Sequence, residues 1–246
     1  MTNVDDSTVS SIAPLQNVAL VSKALERVMK RRDHLPGLIT FYGPAGYGKT
    51  WAAIYAANQY QAYYIEAKEY WTRKALLEAI LKEMGINPDR TISKMADQVA
   101  EQLSRSDRPL IIDEFDHIVR RKLVEMVRSI YEGSNAPILI IGEERVPTML
   151  KQQSERFHSR MLGWVPAQPP DLDDARLIRK LYVTDVKIKD DVLQAMLQVV
   201  NGSVRRVTIN LEKVREYALE HGLETIGMAE WKGQEFDTGE ALPRRV

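Results

Sequence analysis

Hydrophobic residues change their spacing several times along the chain. Between residues 17 and 32, Leu20, Ala24, Leu25 and Val28 share one helical face, and Pro36 and Gly37 end the pattern. Five short runs then obey a different rule: residues 38–42 (LITFY), 62–67 (AYYIEA), 108–114 (RPLIIDE), 136–142 (APILIIG) and 161–167 (MLGWVPA). They are mostly apolar and rich in strand formers, which predicts strands. Stretches of helical character separate them, at residues 50–59, 72–85, 93–104 and 117–133 and through Met149 and Leu150. Strands alternating with helices need crossover connections and therefore run parallel. Continuous rather than alternating apolar runs fit strands covered on both faces.

After the proline-rich stretch AQPPDLDD, residues 167–174, the pattern changes. Asp171, Asp190 and Ser203 stand where helix N-caps are expected, and no further parallel strand is predicted. The expected fold is an α/β core with a five-stranded parallel sheet, followed by a small C-terminal helical domain. Its parts are a flexible tail at 1–16, the core at 17–168, the helical domain at 169–225 and a C-terminal tail at 226–246.

Composition alters this picture little. Hydrophobic residues make up 44% of the 246 and charged residues 28%, an ordinary globular balance. Lys+Arg 34 against Asp+Glu 34 leaves no net charge, so any contact with nucleic acid must come from local patches. The absence of cysteine excludes disulfides, thiolate metal sites and a cysteine nucleophile. His34, His117, His158 and His221 show no metal-ligand spacing. The N-terminus MTNVDDSTVSS is unlike a signal peptide, and no run is long enough for a membrane span. The expected location is therefore the cytoplasm, with no membrane partner.

The chemistry begins directly after the first strand. FYGPAGYGKT contains G-x-x-x-x-G-K-[ST] as Gly43, Gly48, Lys49 and Thr50. A glycine-rich turn between strand and helix lets backbone N–H groups close around phosphate oxygens, and the helix adds its positive end. The nucleotide contacts expected here are Gly43, Pro44, Ala45, Gly46, Tyr47, Gly48, Lys49, Thr50 and Trp51. Lys49 would reach the β- and γ-phosphates of ATP, and Thr50 would bind Mg²⁺. The third strand ends in Asp113, placed to hold the same Mg²⁺, and Glu114, placed to polarise an attacking water.

This arrangement resembles the AAA+ ATPases from about Asn17 to Leu223, with the small helical domain as that family's lid and an extra strand between its two nucleotide motifs. The resemblance implies further roles. In ERFHSRM, before the fifth strand, Arg160 matches the arginine finger that reaches a neighbouring subunit's γ-phosphate, with Arg156 as the fallback. In NGSVRRV, Arg205 matches the lid's nucleotide-contacting sensor arginine. One departure is clear: the fourth strand ends IIGEE, with Gly142 and Glu143 where the family carries a polar sensor.

Among the branches, DEFDHI and GEE resemble the transposition regulators, the phage Mu B and TnsC/TniB group, which are bacterial or phage-encoded. That resemblance implies slow, DNA-stimulated ATP hydrolysis, ATP-dependent self-assembly on double-stranded DNA, and delivery of that DNA to a transposase. Candidate DNA contacts are Lys68, Arg73 and Lys74 after the second strand, and Arg120, Arg121 and Lys122 after the acidic pair. Each cluster reads equally well as a solvated helix face. Two alternatives stay open: a replication initiator or helicase loader, and a nucleotide-switched interaction module that never touches DNA.

Overall fold

The computed structural model describes residues 15–240. The tail expected at residues 1–16 lies almost wholly outside them. The described residues divide into two compact units. One comprises residues 17–44 and 49–167; the other combines residues 15–16 and 45–48 with residues 168–240.

The first unit runs α1 (Gln16–Met29), β1 (Leu38–Tyr42), α2 (Lys49–Gln59), β2 (Tyr63–Glu66), α3 (Arg73–Glu83), α4 (Ile92–Ser106), β3 (Leu110–Asp113), α5 (Phe115–Arg120), α6 (Val124–Ser134), β4 (Ile138–Gly142), α7 (Val146–Gln153), α8 (Glu155–His158) and β5 (Met161–Pro166). The five predicted strands form one parallel sheet in the order β2-β3-β4-β1-β5. Every residue of β3 and β4 is buried, as their unbroken apolar runs require. Leu76, Leu77, Met95, Val99 and Val127 from α3, α4 and α6 pack with Ile112 and Ile140 of the sheet in one core. Full burial of each such side chain contributes roughly 1.5–3 kcal/mol. The pairings Tyr42↔Gly142 and Glu66↔Asp113 bring the carboxyl ends of β1, β4, β2 and β3 to a common edge. Ligands of open parallel sheets bind outside that edge.

One expected helix is two. The run at 117–133 divides into α5 and α6 because Lys122 is left-handed, φ 56°. The break lets Leu123 turn inward to 5% exposure. α6 also continues past Gly133 to Ser134 and is capped by Asn135, itself left-handed at φ 51°.

The second unit contains α9 (Leu172–Tyr182), β6 (Lys187–Ile188), α10 (Asp190–Val199), α11 (Val204–Glu220) and β7 (Thr225–Ile226). Asp171 closes a reciprocal capping box with Asp174, and Ser203 caps α11 through the Arg206 N–H. At α10 the N-cap is Lys189, and Asp190 lies inside the first turn, where a carboxylate suits the helix dipole. β6 and β7 form a short parallel pair that the sequence reading did not predict. The C-terminal tail expected from residue 226 is also corrected. Ile226 is fully buried and Trp231 is 1% exposed, stacked on Phe236 at 5.5 Å. Asn210 then fastens Asp237 to α11 with bonds of 2.9 and 2.6 Å. Aromatic burial outweighs the polar composition of this segment.

Candidate functional site

The loop after β1 turns on two left-handed glycines, Gly46 at φ 86° and Gly48 at φ 77°. Residues with a Cβ rarely adopt this geometry, which explains the motif's glycine at Gly48 and this chain's further glycine at Gly46. Gly43 is buried against Ala167, and its N–H donates to the Gly142 carbonyl at 3.3 Å. Lys49 opens α2, and its ammonium donates to the Gly43 and Pro44 carbonyls at 2.8 Å each. It thus arches over its own loop. Burial holds Lys49 below the usual lysine range, against the opposing pull of the Glu114 and Asp113 carboxylates. Trp51 is 53% exposed on the first turn of α2.

Asp113 ends β3 at 1% exposure. One carboxylate oxygen accepts the Glu114 N–H at 2.8 Å, and the other accepts the Tyr64 hydroxyl at 3.1 Å. The Thr50 hydroxyl lies close enough to this carboxylate to favour its charged form. Burial nevertheless raises its pKa above the ordinary aspartate value. Glu114 is left-handed at φ 53°, strained for a residue with a Cβ, and starts α5 without a capping bond. Its pKa is raised by burial first and by the charges of Asp113 and Asp116 next. The structure therefore brings together Lys49, Thr50, Asp113 and Glu114.

Tyr64 and Asp116 were not singled out in the sequence. Asp116 is 2% exposed; Oδ1 accepts the Glu143 N–H at 2.9 Å, and Oδ2 has no partner among the described residues. Its only sequence signal is its place, two residues after Glu114. It also bears on the sensor position. A Cβ on Gly142 would lie 2.6 Å from Val146 Cγ2 and 3.2 Å from Asp116 Oδ1, so no side chain fits there. Glu143 is exposed and pairs with Arg120 at 3.5 Å.

The arginines differ in their surroundings. Arg160, one residue before β5, donates to Glu132 of α6 at 3.1 Å. Arg156 lies exposed on α8. Within the second unit, the turn that carries the lid motif meets the tip of the phosphate loop. The Val204 N–H donates to the Gly46 carbonyl at 2.8 Å, and a Cβ on Gly46 would come within 2.5 Å of Ser203 Oγ. Arg205, the next residue of α11, is exposed, whereas Arg206 pairs with Asp237 at 3.1 Å.

The two basic clusters meet. Arg121 Nε donates to the Trp71 carbonyl at 3.4 Å, joining the segment after β3 to the one after β2. Lys68 pairs with Glu66 at 2.6 Å and Lys74 with Glu78 at 3.5 Å. Arg73 makes no ion pair among the described residues, and neighbouring Tyr70 is 76% exposed. No described helix is long and apolar enough to cross a membrane.

Residues 31–150 match the family model for the AAA domain. Replication factor C small subunit 2 of Pyrobaculum arsenaticum is 28% identical over 84% of this chain, which spans 61% of that relative's length. Among solved structures, the Aeropyrum pernix ORC2 protein in its ADPNP-ADP complexes superposes with a TM-score of 0.66 at 16% identity, covering 92% of this chain and 70% of that one. The Aeropyrum pernix ORC1 protein in complex with DNA gives 0.63 at 16% identity, covering 92% and 65%. At such identities the likeness is one of fold: a P-loop AAA+ core.

Proposed function

We propose that this protein is an AAA+ ATPase of the replication-initiator or loader type, which binds ATP with Mg²⁺ and assembles on double-stranded DNA. The convergence of Lys49, Thr50, Asp113 and Glu114 beside a glycine-built phosphate loop carries the reading. Lys49 and the loop amides hold the phosphates. A buried carboxylate beside a threonine hydroxyl offers the hard oxygen ligands that Mg²⁺ prefers. When bound, Mg²⁺ neutralises charge on the phosphate oxygens. Glu114 orients and polarises the water. Arg160, with Arg156 as the fallback, serves a neighbour's nucleotide, and Arg205 serves its own.

Lys68, Arg73, Lys74, Arg120 and Arg121 are the proposed DNA contacts. Arg73 and Lys74 open α3, where cations oppose the helix dipole, so local stability does not account for them. Such contacts to the DNA backbone multiply when subunits assemble. A replication factor as relative, and a fold shared with a protein solved on DNA, favour the replication type over transposition regulation. Transposition, with a transposase as partner, is the second reading and rests on the DEFDHI and GEE pattern.

Sedimentation with ATP or ADP, with and without duplex DNA, across a salt series, tests the proposal. Assembly should need ATP, gain from duplex DNA and weaken steeply with salt. A protein that stays monomeric in every condition is an interaction switch instead.

A further inference from the structure

Glu125, Arg128 and Glu132 follow one another on α6 at spacings of three and four, so their side chains line one face. Arg128 joins both acids: Nε donates to Glu125 Oε2 at 2.7 Å, and Nη1 donates to Glu132 Oε2. The outer ends of this ladder reach a different segment. The Ser154 hydroxyl donates to Glu125 Oε1, and Arg160 Nη2 donates to Glu132 Oε1 at 3.1 Å. Ser154 and Arg160 bracket α8. Ser154 caps it by accepting the Phe157 N–H at 3.1 Å, and the Arg160 N–H donates to the Phe157 carbonyl at 3.0 Å. The piece that carries both candidate finger arginines is therefore gripped at its two ends by α6. Its middle is anchored as well: Phe157 is fully buried and stacks at 5.9 Å on Phe115, the residue directly after Glu114.

We infer that Glu132 is a positioning residue for Arg160, fixing its guanidinium so that it meets a nucleotide held by a neighbouring copy of this chain. This rests on the reading of Arg160 as the arginine finger. A guanidinium has five N–H donors, and the bond to Glu132 uses one. The planar fork keeps its direction while the remaining donors stay available to phosphate. A bare carboxylate beside a phosphate would repel it, but Arg128 already shares its charge with Glu132. Arg128 is 18% exposed, whereas Arg160 is 46% exposed, so the inner cation braces and the outer one projects. The outer pair of Arg160 and Glu132 is open to solvent, and such a pair adds little to stability, so its loss leaves the fold intact for testing.

Steady-state ATP turnover, measured against protein concentration, tests the inference on wild type, Arg160→Ala, Glu132→Ala and Glu132→Gln. Where wild type is assembled, Glu132→Ala should lower kcat about tenfold, as misaimed catalytic groups do, with the KM for ATP and the Tm held. Glu132→Gln keeps an acceptor oxygen and should recover most of that loss. If Arg160→Ala loses turnover while Glu132→Ala matches or exceeds wild type, Glu132 does not position the arginine. If Arg160→Ala itself keeps full turnover, the finger reading fails, and the inference with it.

Discussion

β3 and β4 lie side by side in the sheet, equally buried, yet they end differently. β3 delivers two carboxylates, one locked by Tyr64 and a backbone N–H, the other raised on a strained left-handed residue. β4 ends in a glycine with no space for a side chain, and Asp116 reaches over from α5 to bind the next backbone N–H. Polar chemistry at this edge is thus concentrated on β3. The role that the AAA+ resemblance assigns to the end of β4 cannot be filled by a side chain at Gly142.

The contrast can be broken or sharpened by substitution. The largest effect should come from Glu114→Gln, which keeps the shape and removes the base: kcat should fall at least about a hundredfold, with ATP affinity retained. Near-normal turnover would move the water-polarising role away from β3. Because the Glu114 pKa is raised, wild-type turnover should also decline, as pH falls, before an ordinary glutamate would protonate.

A smaller effect should appear in stability. The Asp113 pKa is raised in the folded state, so this group favours folding fully only below its unfolded pKa, and that contribution is lost as pH rises through the folded value. Asp113→Asn should therefore stabilise the fold at pH 7 in the absence of nucleotide by roughly 0.5–2 kcal/mol, seen as a higher Tm. The gain should shrink as pH falls toward about 3.9, and a constant gain across that range would exclude the buried charge as its cause. The smallest effect should be that of Glu143→Gln at the end of β4. Its exposed pair with Arg120 predicts less than about a threefold change in turnover.

The same contrast separates what was legible in the sequence from what was not. β1, β3 and β4 were readable because a strand buried on both faces must be apolar throughout, whereas β2 and β5, only partly buried, were readable from their strand-forming residues. The phosphate loop was readable because its motif carries Gly43, Gly48, Lys49 and Thr50, and the backbone at Gly48 demands glycine. Asp116 was hidden, since the fourth residue of DEFDHI looks like any solvated acid on a helix. The break at Lys122 was hidden because the apolar spacing continues across a single left-handed residue. Trp231 escaped notice because irregular segments have no periodicity and its neighbours Lys232 and Gly233 suggest solvent. Partners distant in sequence, such as Glu132 for Arg160, require the fold itself.

The most direct measurement is the equilibrium binding of a fluorescent ATP analogue, with Mg²⁺, to wild type and to Lys49→Ala of matched thermal stability. Wild type should bind, and the variant should lose at least about tenfold in affinity, the share expected of a charge-assisted contact to phosphate. Equal affinity for the two proteins would contradict the assignment of the loop as the nucleotide site.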